Sequence, residues 1–160
     1  MTDDQLQRAL ELAYRAFATR DRTEAELRVH LERKRLPAAI VDEVIGEAAT
    51  VGLLDDARYA SRFADDRRRL DHWGSERIAR DLARRGVERE LIDGALAGVD
   101  PGDELHAAVQ LLNRRFPLPF AGDKDRDRAW RLLVRRGYEP EAAYAAVRSH
   151  ERGFDGRAAA

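Results

Sequence analysis

The sequence predicts an all-α protein, an elongated tandem array of three three-helix repeats with about nine helices. Three observations carry this reading. The phrase "RRGVERE" at 84–90 returns as "RRGYEPE" at 135–141, 51 residues later. Apolar residues recur at three- and four-residue spacing, the period of a helix face. No segment alternates apolar and polar residues with β-branched enrichment, so no strand is expected.

The register extends beyond the repeated phrase. Leu31, Leu82 and Leu133 align, followed by Arg33, Arg84 and Arg135, then Lys34, Arg85 and Arg136. Leu27, Ile78 and Ala129 precede them, and Ile40, Leu91 and Ala142 follow. Each window reads as a helix, a turn and a second helix. Gly86 and Gly137 stand where a helix end turns left-handed, and Arg35 holds that place in the first window. Thr23 and Glu26 form a T-x-x-E capping box. Pro37 begins the helix after the first turn, and Pro140 sits where a first-turn proline is tolerated.

A further helix precedes each window. Residues 4–19 carry Leu6, Ala9, Leu10, Ala13 and Phe17. Residues 55–71 carry Tyr59, Phe63 and Leu70, with Asp55 as N-cap. Residues 103–116 carry Leu105, Val109, Leu112 and Phe116, displaced from the 51-residue register by a small insertion or deletion. "FPLPFAGDKD" at 116–125 is an irregular connector, broken by two prolines and a glycine. The expected repeats are 1–53, 54–99 and 100–152, with a frayed tail at 153–160. A unit of about fifty residues buries a modest core, so neighbours are expected to stack.

Composition narrows the function classes. Among 160 residues, 44% are hydrophobic and 7% aromatic, so the core must rest on Ala, Leu, Val and Ile. The net charge of −1 supplies no global steering toward nucleic acid, and any such binding needs a local patch. All but Lys34 and Lys124 of the 29 basic residues are Arg. There is no cysteine, so disulfides and thiolate chemistry are excluded. "MTDDQLQRAL" is not a secretory signal, and no apolar run approaches the ~20 residues of a membrane span. A soluble, cytoplasmic, monomeric protein is expected.

Chemistry-bearing motifs are missing. His30, His72, His106 and His150 show no i, i+4 pair and no H-E-x-x-H, and neither phosphate-binding glycine motif occurs. The doublets Asp55/Asp56 and Asp65/Asp66 read as a helix cap and a solvated face rather than a metal site. Ser61, Ser75 and Ser149 lie in no nucleophile elbow. No catalytic, metal or cofactor residue is assigned, and a non-enzymatic role is expected.

The pattern left to explain is arginine. Arg77, Arg80 and Arg84 fall at i, i+3, i+7 on one helix face. Arg128, Arg131 and Arg135 occupy the same places 51 residues on, and Arg85 and Arg136 join them at the turns. One reading is a solvated face in an Arg-biased chain, helped by pairing of Asp81 with Arg77 and Arg85. The other is a surface for phosphates or carboxylates, both matched by the guanidinium fork. Recurrence at matched positions speaks for the second, although common descent of the repeats also produces it. Trp73, Trp130, Tyr59 and Phe63 read as packing.

These residues also carry a resemblance. "GLLDDARYASRFADDRRR" at 52–69 followed by "GSERIARDLARRGV" at 74–87 resembles the central signature of the RecX family, regulators of the RecA recombinase. Gly52, Leu53, Leu54, Asp55, Asp56, Tyr59, Phe63, Arg67, Gly74, Arg77, Ile78, Leu82 and Gly86 fit it. "RDRTEAELRVHLERKRL" at 20–36 resembles the family's first repeat, and the third window its last. The resemblance implies tandem three-helix units lying in the groove of the RecA filament on single-stranded DNA. It also implies inhibition of strand exchange, ATP hydrolysis and coprotease activity. The implied contact residues for filament or DNA are Arg67, Arg77, Arg80, Arg84, Arg85, Arg128, Arg131, Arg135 and Arg136. Several relatives are basic where this chain is near neutral. A direct binder of single-stranded nucleic acid is the alternative, and a generic helical adaptor a third.

Overall fold

The computed structural model describes the backbone of residues 3–158 and the side chains of residues 4–154. Among the described residues there are nine helices and no strand. They are α1 Asp3–Thr19, α2 Glu24–Glu32, α3 Ala38–Thr50, α4 Asp56–Asp71, α5 Ser75–Arg84, α6 Arg89–Leu96, α7 Pro101–Arg115, α8 Asp123–Arg136 and α9 Pro140–Ala158. Successive triplets form three-helix domains. The tail expected to fray from residue 153 is helical to Ala158, and its last two residues lie outside the described residues.

Local chemistry sets the boundaries. The Thr23 hydroxyl accepts the Glu26 N–H at 3.2 Å, which starts α2 as the capping box predicts. Asp55 accepts the Arg58 N–H at 2.8 Å and starts α4. Asp100 accepts the Gly102 N–H at 2.7 Å with Pro101 in the first turn, so α7 begins two residues before the predicted 103. At the other ends, Gly86 (φ 78°) and Gly137 (φ 92°) are left-handed. The Val87 N–H reaches the Leu82 carbonyl and the Tyr138 N–H the Leu133 carbonyl, both at 3.1 Å, closing the same C-terminal motif twice.

Arg35 occupies the matching place and is itself left-handed, at φ 59°. The first domain's turn thus takes the same left-handed step without the residue that makes it strain-free.

The described residues group into two compact units, Met1–Arg62 with Asp81–Ala95, and Phe63–Arg80 with Leu96–Ala160. The boundaries fall inside α4, α5 and α6, so the middle triplet contributes to both. The first unit's core gathers Ala9, Ala13 and Ala16 of α1, Leu27 and Leu31 of α2, and Ile40, Val41, Val44, Ile45 and Ala48 of α3, closed by Leu54. The second unit's core joins Ala108, Leu111 and Leu112 of α7, Ala129 and Leu133 of α8, and Ala143, Ala146 and Val147 of α9, with Tyr138. Alanines on α1 and α9 permit close helix packing where aromatics are scarce. The 117–122 connector lies against the second core through Phe120, whose ring meets Phe116 edge-on at 5.4 Å.

Arg35→Gly is expected to stabilise the chain by about 1 kcal/mol, the left-handed cost of a residue with a Cβ, less part of that gain through the more flexible unfolded chain. Thermal unfolding of the two proteins checks this, and an unchanged or lower Tm would contradict it.

Candidate partner-binding site

The arginine-bearing turns are also the places where one three-helix domain grips the next. In the first unit the Thr23 hydroxyl, besides capping α2, donates to the Arg85 carbonyl at 2.6 Å. The Glu24 N–H donates to the Asp56 carboxylate at 2.9 Å. Glu26 accepts Arg20 at 2.8 Å and Arg85 at 3.0 Å. A Cβ on Gly86 would collide with the Ala25 side chain, so the helix start and the turn lie in close contact. Burial, ahead of the neighbouring carboxylates, raises the Asp56 pKa above its ordinary value.

The second unit repeats the arrangement one domain later. The Gly74 N–H donates to the Arg136 carbonyl at 2.8 Å and the Glu76 N–H to the Gly137 carbonyl at 3.1 Å. The Ser75 N–H donates to the Glu104 carboxylate at 2.7 Å. A Cβ on Gly74 would strike the Gly137 carbonyl, and a Cβ on Gly137 would strike the backbone of Arg77. In both junctions a carboxylate from the next domain's first helix caps the middle helix, and the next domain's turn supplies a carbonyl. Asp56 and Glu104 lie 48 residues apart, three short of the repeat, matching the register shift of the third front helix.

The predicted arginines therefore divide. Four are engaged within their own unit. Arg85 is held by Glu26, and Arg136 donates to the Asp71 carbonyl at 2.5 Å. Arg77 stacks on Trp73 with 3.9 Å between guanidinium carbon and ring centre, and reaches the Arg135 carbonyl at 3.4 Å. Arg67 pairs with Asp71 at 2.5 Å and lies over Phe63 and Trp73. The other five, Arg80, Arg84, Arg128, Arg131 and Arg135, are exposed. Arg84 pairs with Asp81, and Arg128 lies 3.7 Å from Asp125. Asp81 was expected to pair with Arg77 and Arg85. It meets Arg84 instead, because Trp73 and Glu26 engage the other two. Trp73 and Trp130 both pack, the latter donating its indole N–H to the Pro140 carbonyl at 3.2 Å.

Sequence reasoning passed over a basic cleft in the first unit. It is lined by Arg20, Arg22, Arg33, Arg84, Arg85 and His30, with Glu26 its one carboxylate, and has a volume of about 340 Å³. Burial first, then the charges of Arg22, Lys34 and Arg33, lowers the His30 pKa below its ordinary value. The first window lacks the i, i+3, i+7 arginines, and that lack hid the cleft. Its signal was the run of Arg20, Arg22, Arg33 and Lys34 around the capping box. Among the described residues no helix is long and apolar enough to cross a membrane.

A tandem of three-helix domains, capped one upon the next, defines a helical-repeat protein. The first three-helix domain of RecX matches residues 9–47 and the second matches 55–96. Regulatory protein RecX of Mycolicibacterium vanbaalenii is 36% identical over 149 residues, covering 88% of this chain and 81% of that one. Regulatory protein RecX of Deinococcus radiodurans is 34% identical, covering 91% and 70%. The crystal structure of RecX from Lactobacillus salivarius superimposes with a TM-score of 0.84 at 16% identity, over 94% of this chain and 99% of that one, a likeness of fold. The chain belongs to the RecX family of regulatory proteins.

Tyr138 offers a direct test of the second junction. It is buried, and its hydroxyl donates to the carbonyl of His72, a left-handed residue (φ 53°) at the end of α4, at 3.2 Å. Burial, followed by the charge of Glu104, pushes its pKa up to about 12. A raised folded-state pKa gives stability that is complete below the ordinary value near 10 and lost as pH rises through 12. Tyr138→Phe is expected to cost about 1 kcal/mol at neutral pH through the lost hydrogen bond. By pH ~12 the native chain should have lost about 2 kcal/mol that the variant never had, inverting their order. Denaturant titrations at both pH values check this, and parallel curves would contradict it.

Proposed function

We propose that this chain lies in the groove of the RecA filament on single-stranded DNA and inhibits strand exchange, ATP hydrolysis and coprotease activity, acting as a non-enzymatic regulator. The observation that carries the reading is the junction made twice from the same parts. Successive domains held by a repeated contact suit a partner that is itself a repeat. Domains bounded at 1–53, 54–99 and 100–152 would each meet a filament protomer and act together through high effective concentration. A chain bridging protomers opposes the movement between them that ATP turnover needs, and blocks the path of incoming duplex. The exposed Arg80, Arg84, Arg128, Arg131 and Arg135 are the groups available for acidic protein surface or exposed phosphates. Arg67, Arg77, Arg85 and Arg136 act in this reading by holding the domains in place. That the similar proteins are regulatory proteins RecX supports the assignment.

A second reading, direct binding of single-stranded nucleic acid, draws support from the basic cleft. It requires affinity for a bare strand that falls steeply with salt as counterions are released.

Single-strand-dependent RecA ATPase, measured beside a gel shift on bare strand, separates the two. The native chain is expected to inhibit at concentrations that give no shift. Arg80→Glu with Arg131→Glu and Arg135→Glu is expected to weaken inhibition about tenfold or more, each reversal costing a charge-assisted contact, while helicity is retained. Undiminished inhibition by the triple variant would remove these arginines from the mechanism. No inhibition by the native chain would end the regulator reading.

A further inference from the structure

The cleft in the first unit concentrates charge that the composition does not. Five arginines and His30 line it beside one carboxylate, in a chain of net charge −1, and one of the five, Arg84, also pairs with Asp81. The carboxylate, Glu26, bonds Arg20 and Arg85 and so fixes two of the five in place. Arg22 is anchored through its Nε–H to the Ala16 carbonyl at 3.2 Å. Arg33 and Arg84 are exposed at the end of α2 and of α5 respectively. Fixed guanidinium forks with further cations within reach are what an oxyanion selects. The rest of the lining, Ala25, Val29, Ala83 and Gly86, is small and contains no aromatic ring. The cations thus dominate the lining, and an anionic group is what they select.

We propose that this cleft is a phosphate-binding site, taking a phosphoanion either from a free polyphosphate or from the backbone of a single strand. The proposal stands on the first unit's charge and shape, and does not require the filament reading. Arg20, Arg22 and Arg85 form its fixed wall, and Arg33 and Arg84 close over the bound group. His30 lies in the wall, held below its ordinary pKa by burial and by Arg22, Lys34 and Arg33. An arriving anion offsets those charges, so His30 reports occupancy.

The test follows the His30 ring by NMR through a pH titration of the full chain, at constant ionic strength set with chloride. The additions are inorganic pyrophosphate in one arm and a short oligothymidylate in the other. Occupancy is expected to raise the His30 midpoint by about one pH unit, the size of shift a nearby opposite charge produces. Arg33→Ala with Arg84→Ala is expected to weaken binding about tenfold, through loss of two charge-assisted contacts. Arg33→Ala alone, at an exposed position, gives a smaller loss and serves if the double variant does not fold. A response to both additions supports a site for phosphate as such. A response to one alone supports the site and identifies the source as strand or free polyphosphate. No shift with either addition, or an undiminished shift in the variants, overturns the proposal.

Discussion

The first amides of an α-helix have no partner inside the helix, and burying them unpaired is costly. In this protein the middle helix of one domain finds those partners in the next domain. The N–H groups of Gly74, Ser75 and Glu76 donate to the Arg136 carbonyl, the Glu104 carboxylate and the Gly137 carbonyl. At the earlier junction Glu24 donates to Asp56, and the Thr23 hydroxyl both caps its own helix and bonds the Arg85 carbonyl. The carboxylates also meet the positive end of the helix dipole. Each of these middle helices is thus completed by its neighbour.

That constraint explains which residues must be small. The helix start and the following domain's turn approach so closely that a Cβ on Gly74, Gly86 or Gly137 would collide. At Gly86 and Gly137 the left-handed backbone also favours glycine, so two demands fall on one residue. Arg35, in the same register, meets only the backbone demand. Arg35 is exposed, so a side chain has room there.

Much of the fold was legible because helix punctuation is local. Thr23, Asp55, Gly86, Gly137 and Pro140 mark ends by their own backbone chemistry, and the 51-residue echo multiplies the signal. The contacts between domains were not legible. Asp56 read as part of a capping doublet, and nothing local says that its carboxylate serves Glu24. Glu104 stands three residues out of register, so the repeat could not reveal it. The arginine pattern was visible, but its division was not. Arg77 and Arg80 look alike on a helical wheel, yet Trp73 engages one and the other is exposed. The basic cleft was missed because it gathers Arg20, Arg22, Arg33 and Arg84 from separate segments instead of one helix face.

The proposed function relies on this construction, since a partner gripping several domains would depend on their being coupled. Native-state hydrogen exchange at the Gly74, Ser75 and Glu76 amides tests the coupling most directly. If the third domain caps α5, these three should exchange as slowly as the buried amides of α8. Exchange at the rapid rate of an open helix start would show that the domains are not joined in this way.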